Sequence, residues 1–254
     1  MATAPMRRLK APLIAAAMAA VFAIAPAQAQ SSLSDADKAA LEETIRNYIL
    51  EHPEIIVEAI EKLRQQEQAR AAQRQQQSLQ SRGEALRYDP GTPVVGNPDG
   101  DVVIVEFFDY RCPYCKKVAE PLREVVKEDG NIRLVMKEYP ILSAESELAA
   151  KAALAAHEQG RYEDFHFTLM TEPGALNRDK IFGIAESLGL DLEKLRADME
   201  SPEIAAKLAE VAELGEALNV RGTPAFVIGD ELVPGAISIE EMRQRVRQVR
   251  ADAG

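Results

Sequence analysis

Between Ser34 and Leu63 the apolar residues Leu41, Ile45 and Tyr48, then Ile56, Ile60 and Leu63, recur at steps of three and four, the spacing of one helical face. Pro53 interrupts the run, and because proline lacks the N–H donor and clashes with the preceding turn, two helices are expected rather than one. The stripe is too narrow to fold alone, since an isolated amphipathic helix is marginal without a surface to cover. It must pack either on the rest of the chain or on a copy of itself. Residues 65–80 carry eight Gln and almost no large apolar group, so this stretch reads as a solvated helix or a linker.

The pattern changes near Tyr88. Asp89-Pro90-Gly91 and Asn97-Pro98-Asp99-Gly100 are turn sequences that frame a short strand around Val94-Val95. Val102 to Phe108 is nearly unbroken apolar, as in a central strand buried on both faces. A helix from Cys112 to about Lys127 and a strand from Ile132 to Lys137 follow, which makes a parallel, right-handed strand-helix-strand unit. Residues 143–219 then read as helices, with caps at Ser143, Asn177 and Ser201 and a buried face of Ile204, Leu208, Val211 and Leu218. Strands return at Ala225–Ile228 and at 231–233, joined through Gly229-Asp230. The last helix opens on a Ser238/Glu241 capping box and buries Ile239, Met242, Val246 and Val249. The expected organisation is a helical extension over 30–64, a Gln-rich connector over 65–87, and an α/β domain over 88–250 carrying a helical insertion.

The first 29 residues look like something removed before folding. Arg7, Arg8 and Lys10 precede an apolar run from Ala11 to Ile24, and Ala27-Gln28-Ala29 is a small-x-small cleavage site. The alternative is a membrane anchor, but the run is shorter than the roughly 20 residues a helix needs to span. Cleavage after Ala29 would deliver the chain to a compartment where disulfides persist, the periplasm of a bacterium. It would also take the net charge from −11 to −14, an acidic balance that argues against nucleic acid as a partner.

Both cysteines of the chain lie in Cys112-Pro113-Tyr114-Cys115, at a strand-to-helix junction. Helix N-termini and C-x-x-C settings lower a thiol pKa from about 8.5 to roughly 3.5–7.5, so Cys112 is the expected nucleophile. Cys115, one turn on, is placed to resolve a mixed disulfide. A purely structural bridge across so short a loop would contribute only about 2 kcal/mol. Zinc would need more ligands than this pair and three scattered His supply, haem attachment would need His where Lys116 stands, and the seven Met do not cluster for copper. Glu106, inside the buried strand, is either an edge-facing residue or a buried acid under the Cys112 helix, near Lys137 of the next strand and able to relay the proton of Cys115. Pro224, after Thr223 at a strand entrance, would on its own be read as an ordinary trans proline.

The strand ending Val105-Glu106-Phe107-Phe108-Asp109-Tyr110, the Cys-Pro-Tyr-Cys motif, the helical insertion and Thr223-Pro224 together resemble the thioredoxin-fold thiol-disulfide oxidoreductases of the DsbA superfamily. The resemblance covers about residues 88–250. It implies a cis Pro224 facing the dithiol, Thr223 offering backbone hydrogen bonds to an extended substrate, and Glu106 as the family's buried acid. Tyr114 stands where the strongly oxidising branch has His. With the helical extension, it makes the chain look closer to ScsC-type (suppressor of copper sensitivity) proteins. That likeness implies an oligomer formed through residues 34–63, isomerase or reductase action on exported proteins with misformed disulfides, and a membrane-bound partner that keeps the dithiol reduced. It also implies a pathway link to copper tolerance. No cofactor beyond the Cys112–Cys115 redox pair is called for. Two other readings stay open: a dithiol oxidase on the same fold, and a non-catalytic binding module or holdase.

Overall fold

The computed structural model describes residues 34–253 and divides into two units, one ending at Glu61 and one beginning at Lys62. The signal-peptide reading and its cleavage site lie outside the described residues.

In the first unit, α1 (Asp35–Glu51) starts at Ser34, whose hydroxyl accepts from the Asp37 N–H while the Asp37 carboxylate accepts from the Ser34 N–H. The helix stops before Pro53 and α2 (Glu54–Ser81) begins just after it, the break that proline imposes. No residue of α1 is buried, and the stripe residues Leu41, Ile45 and Tyr48 are each about half exposed.

The second unit holds the rest: α3 (Gly83–Arg87), β1 (Val94–Gly96), β2 (Val102–Phe108), α4 (Pro113–Asp129), β3 (Ile132–Glu138), β4 (Ala225–Ile228), β5 (Glu231–Pro234) and α10 (Ile239–Ala253). Between β3 and β4 come α5 (Ala144–His157), α6 (Tyr162–Thr171), α7 (Arg178–Ser187), α8 (Leu192–Met199) and α9 (Pro202–Ala217). The strands order as β1-β3-β2-β4-β5, with β2 and β3 parallel and the other neighbours antiparallel. This is the expected thioredoxin fold with a helical insertion.

Alternation along β2 distributes its side chains to two cores. Ile104 and Phe108 join the larger one, with α4, α10 and the insertion, whereas Val105 and Phe107 join a second with Leu86, Val211 and Leu214. Capping by Ser143, Asn177 and Ser201 is as read from the sequence.

Two expectations need correction. The body begins before Tyr88: Leu79 and Leu86 are buried in the second core, and the Gln75 amide donates to the Leu218 carbonyl. At α10 only half of the capping box forms, because the Glu241 carboxylate turns to Arg245 while Ser238 Oγ accepts from the Glu241 N–H. Of the two alternatives for the Gln-rich stretch, helix is the one observed, since α2 reaches Ser81.

Candidate active site: a dithiol facing a cis proline

The chain leaves β2 at Phe108 and turns through Asp109, whose carbonyl accepts from the Cys112 N–H at 3.0 Å. Cys112 is the N-cap of α4, with Pro113 in the first turn, where its fixed φ suits the helix. The Cys112 sulfur accepts from the Cys115 N–H at 3.4 Å, and its thiol donates to the Thr223 carbonyl at 3.1 Å. The Thr223–Pro224 peptide bond is cis. Both cysteines are free thiols and both are buried, Cys115 completely. Tyr114 between them is well exposed, so an aromatic ring stands beside the dithiol at the surface. Thr223 Oγ1 is fully buried and has no hydrogen-bond partner.

Glu106 lies on the α4 face of β2 and is buried. Burial with no compensating hydrogen bond pushes its carboxyl up to about 8. The Cys115 thiol is pushed far above its ordinary range by burial first and then by the charge of Glu106, which places the two groups in electrostatic contact.

Lys137 is not part of this arrangement. Glu106 pairs with Met136 and Phe107 with Lys137, so the side chains of Glu106 and Lys137 leave the sheet on opposite faces. The Lys137 ammonium instead donates to the Ala85 carbonyl, to Asp89 and to Thr92 Oγ1, at 3.2–3.3 Å. The expected pairing fails on register.

Sequence reasoning missed a second polar assembly behind the dithiol. The buried Asp109 carboxylate accepts from the backbone N–H groups of Arg111, Ile141 and Leu142 and from Ser146 Oγ, tying the loop before Cys112 to the start of the insertion. Next to it, Glu138 Oε1 accepts from the phenols of Tyr110 and Tyr162, each at 2.9 Å. Tyr110 also meets His166 Nδ1 at 2.9 Å. A phenol has one hydrogen, so when Tyr110 gives it to Glu138 the His166 nitrogen is the donor. Burial, with Arg123 adding to it, pushes His166 down to about 3, which leaves the ring neutral. For Glu138, which follows Lys137 at the end of β3, the residue pattern offered no separate signal. Among the described residues no group of three His, Cys, Asp or Glu could hold a metal ion.

A thioredoxin fold with a dithiol at the start of the helix after its central strand, set against a cis proline, defines the class of thiol-disulfide oxidoreductases. A family model described as a DSBA-like thioredoxin domain matches residues 103–247, and one described as the copper resistance protein ScsC N-terminal domain matches residues 37–70. The chain belongs to the DsbA-like thioredoxin-domain family and carries an ScsC-type N-terminal region.

A thioredoxin-like oxidoreductase from Silicibacter pomeroyi DSS-3 is 46% identical with a TM-score of 0.64, covering 66% of this chain and 97% of its own. Proteus mirabilis ScsC in a transitional conformation is 28% identical with a TM-score of 0.65, covering 87% of this chain and 98% of its own. A periplasmic thioredoxin-like protein from Salmonella enterica serovar Typhimurium is 27% identical with a TM-score of 0.60, covering 66% and 95%. Among curated proteins the chain matches Na(+)/H(+) antiporters NhaA, that of Salinispora arenicola at 32% identity over 161 residues, 62% of this chain. The chain spans about a quarter of the length of these relatives. No helix among the described residues is long and apolar enough to cross a membrane.

Proposed function

We propose that the chain is an exported, periplasmic thiol-disulfide oxidoreductase that acts as a disulfide isomerase or reductase on exported proteins with misformed disulfides. The observation that carries the reading is the Cys112 thiol at the N-cap of α4, 3.1 Å from the carbonyl of Thr223 beside the cis Pro224. The Cys112 sulfur attacks a substrate disulfide, forms a Cys112–substrate bond and expels one substrate thiolate. Cys115 then yields its proton to Glu106 and attacks the Cys112 sulfur, which expels the second substrate thiolate. The substrate gains two electrons and the dithiol loses them. In isomerisation a different thiolate of the substrate attacks the substrate sulfur of that bond instead, which forms a new substrate disulfide and returns Cys112 as a thiolate.

Glu106 suits the relay because a carboxyl raised towards neutrality is a stronger base than an ordinary one and is still partly ionised at working pH. Thr223 and Pro224 dock the substrate backbone. Tyr114 favours reduction or isomerisation over oxidation, since no second positive charge stands between the cysteines. The half-exposed stripe of Leu41, Ile45, Tyr48, Ile56, Ile60 and Leu63 supports a homo-oligomer formed through residues 34–63. A membrane-bound partner returns the dithiol to its reduced form, and copper tolerance enters through that pathway. The region before the described residues serves as the export signal, cleaved after Ala29.

The test is the cellular redox state together with refolding activity. A thiol-reactive mass tag should find Cys112 and Cys115 mostly reduced, and the purified protein should reactivate scrambled ribonuclease. A mostly oxidised pair without isomerase activity would make the protein a dithiol oxidase instead.

A further inference from the structure

The cleft that continues from Thr223 and Pro224 is lined by Gln75, Asn219, Arg221, Leu232 and Pro234. Arg221 is the charged residue in it. Its Nε donates to Asn219 Oδ1 at 2.6 Å, and among the described residues no carboxylate lies within 4 Å of the guanidinium. Glu216 acts on the same phenol, that of Tyr139, as Arg221 does, without reaching ion-pair distance of the guanidinium. Both Nη groups are thus left for a ligand while the third nitrogen is held.

The holder is fixed by the end of a helix. Asn219 has φ +58°, and it is the non-glycine residue in the left-handed region among those described. It closes α9, its N–H donating to the Glu216 carbonyl and the Val220 N–H to the Gly215 carbonyl, the helix end in which asparagine is tolerated in that conformation. Here the turn aims the amide oxygen at the Arg221 Nε. A guanidinium oriented through Nε presents a planar two-donor fork matched to a carboxylate. In a chain of net charge −11, whose overall field repels acidic partners, an unpaired fork in this position is a local exception.

We propose that Arg221, oriented by Asn219, is a specificity-determining residue that takes an acidic side chain of the substrate polypeptide. This rests on the reading of Cys112 and Thr223-Pro224 as the exchange site. Arg221 precedes Thr223 by two residues, at most roughly 7 Å along the backbone. The acid therefore stands two or three residues from the reacting substrate cysteine. Preferred substrates are disulfides flanked by Asp or Glu at that spacing.

The experiment uses the full chain and a set of short disulfide-linked peptides, a neutral host and variants carrying one Asp or one Lys at each position flanking the cysteine. Rates of reduction are followed at low and high salt. One register position is expected to give about a twofold to fivefold gain with Asp over the neutral host at low salt, as an exposed ion pair would. The gain should vanish in Arg221→Ala, turn into a preference for Lys in Arg221→Glu, and weaken in Asn219→Gly, which keeps the turn but removes the amide. If Arg221→Glu keeps the wild-type preference, or if no position distinguishes Asp from Lys while the neutral host is reduced normally, the inference is overturned and the exchange site stands. If no peptide is reduced at all, the functional reading itself fails, and the inference with it.

Discussion

Replacing Glu106 with Gln removes a titrating group while keeping its shape, and the consequence can be read as stability against pH. The carboxyl is held at about 8 by burial, against an ordinary value of 4.5. Below pH 4.5 the folded and unfolded chains are both protonated there, and the residue contributes no difference. Between 4.5 and 8 the unfolded chain releases the proton while the folded chain keeps it, so stability falls with rising pH by about 1.4 kcal/mol per pH step. Above pH 8 both are ionised, and the accumulated loss reaches about 5 kcal/mol. An amide at this position does not titrate and has no such loss. The Glu106→Gln variant should therefore gain on wild type between pH 5 and pH 9 by about 4 kcal/mol, whatever constant cost its buried amide adds. Urea unfolding at several pH values measures this, with Cys112→Ser and Cys115→Ser in both proteins so that no thiol titrates. A difference that stays flat within about 1 kcal/mol over that range would refute the burial of an ionisable Glu106 and remove the basis for its proton role.

The other expectations are simpler. Cys112→Ser should abolish disulfide exchange, while Cys115→Ser should accumulate a covalent Cys112–substrate adduct visible on a non-reducing gel; loss of the adduct in both would contradict the order of attack. Lys137→Met should cost about 1–2 kcal/mol, because it takes a donor from the Ala85 carbonyl, Thr92 and Asp89 while Lys207 still pairs with Asp89, yet leave the pH profile of exchange unmoved, since Lys137 faces away from Glu106. A changed profile would restore the pairing that the register excludes. Leu41→Glu with Ile45→Glu should lower the mass in solution measured by light scattering without altering the reduction of small peptides by the dithiol. An unchanged mass would remove the stripe as an oligomer interface.

The alternation and end signals of the chain carry most of the fold because they are local. Val102 to Phe108 is apolar on both faces, and both faces are covered; Ser143, Asn177 and Ser201 cap helices because each hydroxyl or amide needs only the N–H groups of its own next turn. What the sequence hides is what depends on distant partners. Leu79 and Leu86 are single leucines among polar residues, with no period to mark them, and they are core because the back of the sheet needs covering. The short helix α8 escapes a reading from pattern, although Asp191 caps it by accepting from two N–H groups, for its face of Leu192, Leu195 and Met199 runs through only two turns.

The same distinction separates the two buried carboxylates. Glu106 can be singled out because a charge within an apolar strand is costly wherever the strand goes, but its neighbour cannot be named without the register, which puts Met136 rather than Lys137 beside it. Glu138 interrupts no apolar run, for it follows Lys137 at the end of β3, where a carboxylate looks like an ordinary transition to a loop. Their environments then divide the work. Burial raises both, yet two phenols return hydrogen bonds to Glu138, whereas nothing returns one to Glu106. A carboxyl anchored by Tyr110 and Tyr162 is built to hold the loop before Cys112 in place, since moving its proton would disrupt three elements at once. A carboxyl with no partner, electrostatically coupled to Cys115 and balanced near neutrality, can change its proton without changing a single hydrogen bond, which is what a relay to a buried thiol requires.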